Sequence, residues 1–269
     1  MLYVVTACHN RKEITLKLVE SLKQQIYKDW YFLLVDDGSE DGTEDAVKQS
    51  IDNCFVIRGD GKLWWGGALH KAYLWLMKNA APEDIVLLCN DDITFEESFL
   101  MVAVQHVQET EKTLITGNGY SKYNSEFLDG ALKVDFKKDD YSLLEPGSIG
   151  DMASTRALIM RISDMKRIGG FHPILLPHYG SDYEYTVRAC RKGYKIQSFG
   201  DLNYEMDERA TGNKSRRNLT LKKLFSKKSQ YNPIYRVNYL LLTTPIKDLP
   251  KRIYSRAKRV LQKRIQDDK

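Results

Sequence analysis

Acidic residues directly follow two of the apolar segments in the N-terminal half of the chain. Asp36 and Asp37 come after residues 31–35, and residues 90–92 form an Asn-Asp-Asp run after the apolar stretch 85–89. Carboxylates bind hard cations such as Mg²⁺ or Mn²⁺, and one or two of them suffice when substrate phosphates complete the coordination shell. Acidic residues are also favoured at the start of a helix, so residues 90–92 alone leave both interpretations open. The second acidic pair favours a cation site.

A further aspartate stands where a helical pattern begins. Asp182 opens the helix predicted for residues 182–192, and Gly193 follows in the position after a helix that favours glycine. An aspartate at a helix start can cap the helix, or it can accept the proton of a substrate hydroxyl as a general base. The residue alone leaves this choice open.

These side chains share a site only if the elements before them end at one edge of one sheet. Strand and helix patterns alternate through the first half, which is typical of an α/β fold with a mostly parallel central sheet and helices on both faces. We predict strands at 2–6, 31–35, 54–58, 85–89 and 152–161. Helices are predicted after a capping box formed by Asn10 and Glu13, from residues 40–43 onward, at 67–79 and at 182–192. Residues 117–150 are predicted to form hairpins and loops. Because ligands bind at the carboxyl ends of such strands, both acidic pairs are expected to face one crevice.

Several other classes of site lack their sequence signature. The turn after the first predicted strand holds no glycine, whereas a bound dinucleotide needs G-x-G-x-x-G there, and no P-loop motif occurs. The four cysteines lie far apart without C-x-x-C spacing, which argues against a zinc site or redox pair and favours a reducing, cytosolic setting. No run of about 18 apolar residues is present, so no membrane span is predicted.

Charge divides the chain into two parts. Residues 214–269 carry 17 Lys and Arg against 3 Asp and Glu, a net charge of +14, which leaves −9 for residues 1–213 and +5 for the whole. We predict a catalytic domain at 1–213, with halves at 1–116 and 117–213, and a basic helical C-terminal extension at 214–269. A basic amphipathic helix favours contact with an anionic membrane surface, and a solvated or oligomer-forming helix is the alternative. No recognition module accompanies the charge, so nucleic acid is not an expected partner.

Five segments together resemble glycosyltransferase family 2, in its polysaccharide-assembly, rhamnosyltransferase-like members. They are residues 4–11 (VVTACHNR), 34–43 (LVDDGSEDGT), 87–92 (LLCNDD), 168–171 (IGGF) and 181–188 (SDYEYTVR). The resemblance implies the Rossmann-like A-type fold of nucleotide-diphospho-sugar transferases. It also implies a nucleotide-sugar donor, a divalent cofactor (Mn²⁺ or Mg²⁺) and inversion at the anomeric carbon.

The resemblance assigns the donor side residue by residue. It places the nucleotide-sugar against Thr6, Ala7, His9, Arg11, Asp37, Gly66, Gly67, His70, Asn90 and Asp91. Asp37 corresponds to the residue that hydrogen-bonds the pyrimidine base. Its carboxylate can accept the N3–H of uracil or thymine, so a UDP- or dTDP-sugar is expected. The alternative role of this side chain, compatible with the first, is an Asx turn. Asp92 matches the metal-binding aspartate. The late histidine of many relatives is missing, which leaves Glu205 or Asp207 as a further ligand, or Asp92 alone.

On the acceptor side, the resemblance makes Asp182 the catalytic base. Ser181 stands before it where relatives often carry Glu. Residues expected to face the acceptor are Trp64, Trp65, His178, Tyr179, Glu184 and Arg188. For the two tryptophans, hydrophobic packing under a loop is the alternative.

The expected function is sugar transfer to a hydroxyl of a glycan, carried on a polyprenyl diphosphate, in the synthesis of a surface polysaccharide such as capsule or O-antigen. The expected location is cytoplasmic, peripheral at the inner face of the cell membrane, with a homo-oligomer left open. A non-catalytic sugar- or lipid-binding scaffold and a nucleotidyltransferase are the alternatives. A nucleotidyltransferase should show a glycine- and arginine-rich signature after the first strand, which this chain lacks.

Overall fold

The computed structural model describes residues 1–210, 224–227 and 229–267, with side chains up to residue 258. Its elements in chain order are β1 (Leu2–Cys8), α1 (Lys12–Lys23), β2 (Trp30–Asp36), α2 (Thr43–Ser50), β3 (Cys54–Arg58), α3 (Trp64–Asn79), β4 (Ile85–Cys89), β5 (Ile93–Phe95), α4 (Phe99–Glu109), β6 (Thr113–Ser121), β7 (Phe127–Asp129), β8 (Leu132–Asp135), β9 (Asp140–Leu143), β10 (Ile149–Gly150), β11 (Ala157–Arg161), α5 (Ile162–Ile168), α6 (Ser181–Arg191), β12 (Lys195–Met206), α7 (Pro233–Thr243), a 3₁₀ turn (Ile246–Asp248) and α8 (Leu249–Asp267).

The central sheet has the strand order β10-β12-β6-β11-β4-β1-β2-β3. Strands β4, β1, β2 and β3 run parallel, as do β6 and β12, whereas β11 runs antiparallel between β4 and β6. The amino end of β11 therefore lies beside the carboxyl end of β4, where Ala157 pairs with Cys89. The predicted mostly parallel sheet is confirmed.

Two hydrophobic cores lie on opposite faces of the sheet. Successive side chains of a strand point to opposite faces, so Leu2 and Val4 of β1 pack with α1, α2 and α4, while Tyr3 and Val5 pack with α3, α5 and α6. Helices thus cover both faces, as predicted. This double cover explains why β4 is apolar at every position.

The start of α1 differs from the predicted capping box. Asn10 lies before the helix with a φ of 52°, and its Oδ1 accepts a hydrogen bond from the backbone N–H of Glu40 at 2.8 Å. α1 begins at Lys12 and has no side-chain cap. Asn10 therefore connects the turns after β1 and β2, and the capping-box prediction is wrong.

The predicted strand at 152–161 is shorter in the structure. Only Ala157–Arg161 forms β11, because Met152 instead makes an isolated bridge to Leu132 before the chain enters the sheet. The preceding region, predicted as hairpins and loops, holds the short strands β7 to β10. Residues 153–156 therefore lie outside β11, at the edge of the sheet where the parallel strands end.

The C-terminal helices dock onto the second half of the chain. α7 packs against α6, and the predicted basic helix is confirmed as α8. Arg252 of α8 is 4% exposed; its Nε donates to Oδ1 of Asp139 at 2.6 Å, and its Nη1 donates to the hydroxyls of Thr243 and Thr244. The Nε of Arg256 donates to the other oxygen of Asp139 at 2.9 Å. Arg252, which belongs to the predicted basic extension, is therefore a buried anchor.

Part of the predicted basic extension lies outside the described residues, namely 214–223, 228, 268 and 269, as does the boundary predicted at 213/214. Across the described ranges, every helix is too short or too polar to cross a bilayer.

Candidate functional site

A cavity of about 600 Å³ opens at the carboxyl ends of β1, β2 and β4, beside the amino ends of β11 and α6. It is lined by Ala7, Cys8, His9, Arg11, Asp37, Gly61, Trp64, Trp65, Ala68, Asn90, Asp91, Asp92, Arg156, His178, Tyr179, Gly180, Asp182 and Tyr183. Most of the predicted site is thus brought together. Asp36 is an exception: it is 4% exposed and does not line the cavity, and its Oδ1 accepts the backbone N–H of Ser39 at 2.8 Å, so it stabilises the turn after β2.

Asp37 holds the loop that forms one wall of the cavity. Its Oδ1 accepts the backbone N–H of Gly61 at 2.9 Å, and its Oδ2 accepts those of Leu63 at 2.9 Å and Trp64 at 3.1 Å. The carboxylate therefore satisfies donors at the start of α3, where helical N–H groups lack partners within the helix. A carboxylate offers about four acceptor positions, so one remains on Oδ1. Trp64 has a φ of 57°, a strained conformation that tends to occur at functional sites.

His9 is fixed at the rim by its neighbours. Its Nδ1 lies 2.7 Å from the carbonyl oxygen of Asp37, which can only accept, so Nδ1 carries a proton. The other ring nitrogen, Nε2, lies 3.4 Å from the side-chain amide of Asn10. The imidazole is therefore held in one orientation beside the Asp37 loop.

Arg11 joins the two acidic residues that follow β4. Its Nε donates to Oδ2 of Asp91 at 2.7 Å, its Nη2 to Oδ2 of Asp92 at 3.3 Å, and its Nη1 to the carbonyl of Ala210 at 3.0 Å. Burial raises the pKa of Asp91 to about 6, against the lowering effect of the Arg11 charge. Arg11 was assigned to the nucleotide; in the structure its guanidinium balances the two carboxylates.

Asp91 and Asp92 supply the oxygen ligands that a hard cation prefers, so the donor set fits Mg²⁺ or Mn²⁺ held by carboxylates and phosphate oxygens. Glu205 and Asp207 do not extend this set. Glu205 is exposed on β12, and the carboxylate of Asp207 accepts hydrogen bonds from Lys122 and from the Tyr123 hydroxyl. Among the residues with described positions, no group of three or more His, Cys, Asp or Glu is arranged to hold a metal. The predicted further ligand is corrected accordingly.

Asp182 lies in the first turn of α6 and is partly exposed to the cavity. The helix is capped by Gly180, so capping is not the role of this side chain. Desolvation raises the pKa of Asp182 to about 6, opposed by the backbone N–H of Tyr183 and the charge of Arg156. Such a carboxylate is mostly ionised at neutral pH yet more basic than an ordinary aspartate, which suits a general base.

Aromatic residues form one wall of the cavity. The rings of Trp64 and His178 lie 5.7 Å apart between centroids, and those of His178 and Tyr179 lie 4.3 Å apart. The indole N–H of Trp65 donates to the Thr155 hydroxyl at 2.9 Å, which fixes that ring. All four predicted aromatic residues line the cavity, so they present flat apolar faces of the kind on which sugar rings pack.

The glycines of α3 serve another purpose than the predicted approach to the nucleotide. The N–H of Gly66 donates to the carbonyl of Pro177 at 2.8 Å, and a Cβ on Gly66 would lie 2.4 Å from the carbonyl oxygen of Leu176. Glycine here lets the segment before α6 approach α3. Three other residues assigned to the nucleotide also lie off the cavity lining: Thr6, Gly67 and His70. The sheet buries the first, and the ring of His70 packs beside Gly170.

Glu184 and Arg188 pair with each other and do not line the cavity. Glu184 is 2% exposed, and its two oxygens accept from Nε and Nη2 of Arg188 at 2.8 and 3.0 Å. Arg188 also donates to the carbonyls of Ile168 and Gly170. This pair fixes α6 to the loop after α5 and so holds the helix that presents Asp182, which corrects their predicted contact with the acceptor.

Sequence reasoning missed Arg156, which lines the cavity from the amino end of β11. Its Nη1 lies 3.5 Å from Oδ1 of Asp129, a residue that also received no role. Other unassigned lining residues are Cys8, Gly61, Ala68, Gly180 and Tyr183. In the sequence, Arg156 is a lone arginine directly before an apolar strand. This position indicates a place at the site only once that strand is known to run antiparallel to β4.

Residues 3–167 match Glycosyl transferase family 2, and the chain belongs to this family. A curated relative, Glycosyltransferase GlyG of Streptococcus pneumoniae serotype 4, is 28% identical over 129 residues, which cover 47% of this chain and 41% of the relative. The match therefore spans about two fifths of that relative's length.

Solved structures share the fold. Mannosyltransferase PcManGT from Pyrobaculum calidifontis, in complex with GDP-Man and Mn²⁺, has a TM-score of 0.55 at 14% identity and covers 97% of this chain and 75% of that one. TarS 1-349 of S. aureus, in complex with UDP, scores 0.56 at 18% identity and covers 76% and 59%. GalNAc-T7 with UDP, GalNAc and Mn²⁺ scores 0.61 at 10% identity and covers 77% and 43%. The predicted A-type glycosyltransferase fold is confirmed.

Proposed function

We propose that the protein is a metal-dependent, inverting glycosyltransferase that moves one sugar from a UDP- or dTDP-sugar to a hydroxyl of a glycan acceptor. The observation that carries the proposal is the single cavity in which Asp91 and Asp92 stand at one side and Asp182 at the other. A cation-binding acidic pair and a carboxylate of raised pKa are the two parts that inverting transfer needs.

Asp182 accepts the proton of the attacking hydroxyl. As the acceptor oxygen forms its bond to C1 of the sugar, the bond from C1 to the phosphate oxygen breaks, and the electron pair leaves with the nucleoside diphosphate. Attack opposite the leaving group inverts the anomeric centre. The aromatic wall of Trp64 and His178 holds the reacting sugars and excludes water.

The donor site uses the Asp37 loop and the acidic pair. Asp37 keeps one acceptor position on Oδ1, which can take the N3–H of uracil or thymine. When bound by Asp91 and Asp92, Mn²⁺ or Mg²⁺ supplies positive charge against the diphosphate. Two of the structural neighbours are complexes with Mn²⁺, which supports a divalent cofactor.

A nucleotide panel tests this function. UDP or dTDP with Mn²⁺ should raise the melting temperature by about 5 °C at a hundredfold excess over the Kd, since a ligand that binds only the folded state stabilises it. GDP, CDP and ADP should shift it less, and Asp92→Asn should remove the part of the shift that needs Mn²⁺. The measurement is a thermal-shift series with Mn²⁺ alone as the control. If no diphosphate changes the melting temperature at millimolar concentration, the donor-site assignment fails.

We further propose that the acceptor is carried on a lipid and that α7 contacts the membrane surface where it is presented. Ile234, Val237 and Leu241 are 52–57% exposed at helical spacing on one face of α7, and exposed lysines follow at 247 and 251. An apolar stripe accompanied by basic residues is typical of a helix that lies in an anionic membrane interface.

Vesicle flotation tests the membrane contact. The full chain should float with vesicles that contain anionic phosphatidylglycerol and much less with vesicles of neutral phosphatidylcholine. Replacing Ile234, Val237 and Leu241 together by Ser should reduce flotation by about fivefold or more, because this apolar area is lost. Equal recovery of wild type and variant would contradict the contact. A concentration-dependent dimer abolished by the same change would show that the stripe joins two copies instead.

A further inference from the structure

Arg156 is a cation at the cavity wall that the transfer step described above leaves without a role. Its side chain is 25% exposed, and it stands at the amino end of β11. Its carbonyl accepts the backbone N–H of Asn90 at 3.2 Å, so its main chain is joined to the run that carries the acidic pair. The guanidinium thus enters the site from the opposite side of β4 to Arg11.

The hydrogen-bonding capacity of the two arginines differs. All three nitrogens of Arg11 donate to protein oxygens, those of Asp91, Asp92 and Ala210. A guanidinium has five N–H donors. Within the described part of the chain, the guanidinium of Arg156 forms an ion pair with Asp129 at 3.5 Å, and its buried Nε makes no hydrogen bond. Arg156 therefore retains donors for a ligand, whereas Arg11 is occupied.

Asp129 holds Arg156 in place without using its donors. This carboxylate is 5% exposed, and its Oδ2 accepts hydrogen bonds from the hydroxyls of Ser154 and Tyr204, both at 2.6 Å. Burial opposes the charge of Arg156, but Asp129 and the surrounding groups outweigh it and raise the pKa of the guanidinium. The cation is thus permanent and fixed in orientation.

Arg156 also lines the same cavity as Asp92 and Asp182. Its charge acts on Asp182 on the acceptor side and interacts with Asp92 on the donor side. The part of the proposed donor that carries negative charge is its diphosphate, which leaves with the electron pair of the broken C1–O bond. Guanidinium groups bind phosphate oxygens with paired, charge-assisted hydrogen bonds.

We propose that Arg156, held by Asp129, is an anion-binding residue that takes a non-bridging phosphate oxygen of the donor's nucleoside diphosphate. This inference rests on the proposed function. It gives the departing diphosphate a protein-borne positive charge in addition to the one that a cation on Asp91 and Asp92 supplies.

Calorimetric titration of UDP and of uridine separates the phosphate contribution from that of the base. Arg156→Met should weaken UDP binding about 10- to 100-fold, the usual loss for a hydrogen bond to a charged group, and leave uridine binding unchanged. Arg156→Lys keeps the charge, so it should fold like wild type and lose less. Arg58→Met is the matched control, since Arg58 is exposed and pairs with Glu44 away from the cavity. The titrations are run with Mn²⁺ and with chelator, because the loss should appear in both.

Three results would overturn the inference in different ways. If wild type binds no UDP, the proposed function fails and the inference with it. If wild type binds UDP and folded Arg156→Met and Arg156→Lys bind it equally well, only the inference fails. If the variants bind UDP normally and raise only the KM of an anionic acceptor, Arg156 serves the acceptor, and its assignment to the donor is wrong.

Discussion

Replacing Asp182 by asparagine should lower the rate of sugar transfer by about 10²- to 10⁴-fold, the usual contribution of a positioned general base. Nucleotide binding should persist, because Asp37, Asp91 and Asp92 are unchanged. The measurement is the turnover number beside the Kd for UDP. Asp201→Asn is the matched control, since it makes the same carboxylate-to-amide change at an exposed position of β12.

The same residue sets the expected pH dependence. Because its surroundings raise the pKa of Asp182 to about 6, the wild-type rate should rise between pH 5 and 7 with a midpoint near 6. An ordinary aspartate would place this limb near pH 4. A profile flat down to pH 4.5 would contradict the assignment of the base.

Stability should change in the opposite sense to activity. A carboxyl group whose pKa is raised by folding binds its proton more tightly in the folded state, so its ionised form destabilises the protein above about pH 6. Asparagine does not ionise, so at pH 7.5 the free energy of unfolding of Asp182→Asn should exceed that of wild type by on the order of 1–3 kcal/mol, and the variant should melt at a higher temperature. This advantage should shrink as the pH falls from 6 to 4. A variant that keeps full transfer would contradict the assignment of Asp182 as the base.

Replacing Arg252 by methionine should lower the free energy of unfolding by about 3 kcal/mol, the lower end of the usual cost of breaking a buried ion pair, since Arg256 still faces Asp139. The hydroxyls of Thr243 and Thr244 also lose their donor. Urea unfolding measures the change, and limited proteolysis between α7 and α8 should become faster.

Lys251→Met provides the control for this variant. Lys251 is the preceding residue and is exposed, so its loss should change the free energy of unfolding by less than about 0.5 kcal/mol. Equal stability of the two variants would show that the docking of α8 contributes nothing to the fold. Loss at Arg252 alone would show that the C-terminal helices are part of the folded unit.

The donor side could be predicted because its information is local. Asp91 and Asp92 follow an apolar strand, and in a parallel sheet every such strand ends at the same edge. The role of Asp37 could be predicted only in part. Its contact with the N–H groups of residues 61, 63 and 64 depends on how the loop before α3 folds back, which no short pattern records.

The acceptor side was less predictable, for a physical reason. An apolar strand reads the same in either direction, so nothing in residues 157–161 indicates that β11 runs antiparallel and brings Arg156 to the site. Likewise, the spacing of Glu184 and Arg188 fits both a contact with the acceptor and a pair within the helix. Only the structure shows that Glu184 is buried and accepts hydrogen bonds from Arg188. Arg252 belongs to the basic extension predicted from the sequence, and its partner Asp139 lies 113 residues earlier.

The position of β11 also determines when the polypeptide can complete its sheet. β4 and β6 do not pair with each other in the sheet, because β11 lies between them. The other edge of β6 pairs with β12, at residues 195–206. A nascent chain that ends shortly after β6, near residue 121, would expose the unpaired backbone of β4 and β6 to other chains. The predicted halves at 1–116 and 117–213 therefore interleave in one sheet, and shielding of those strand edges begins only after the ribosome has passed the segment that carries Arg156.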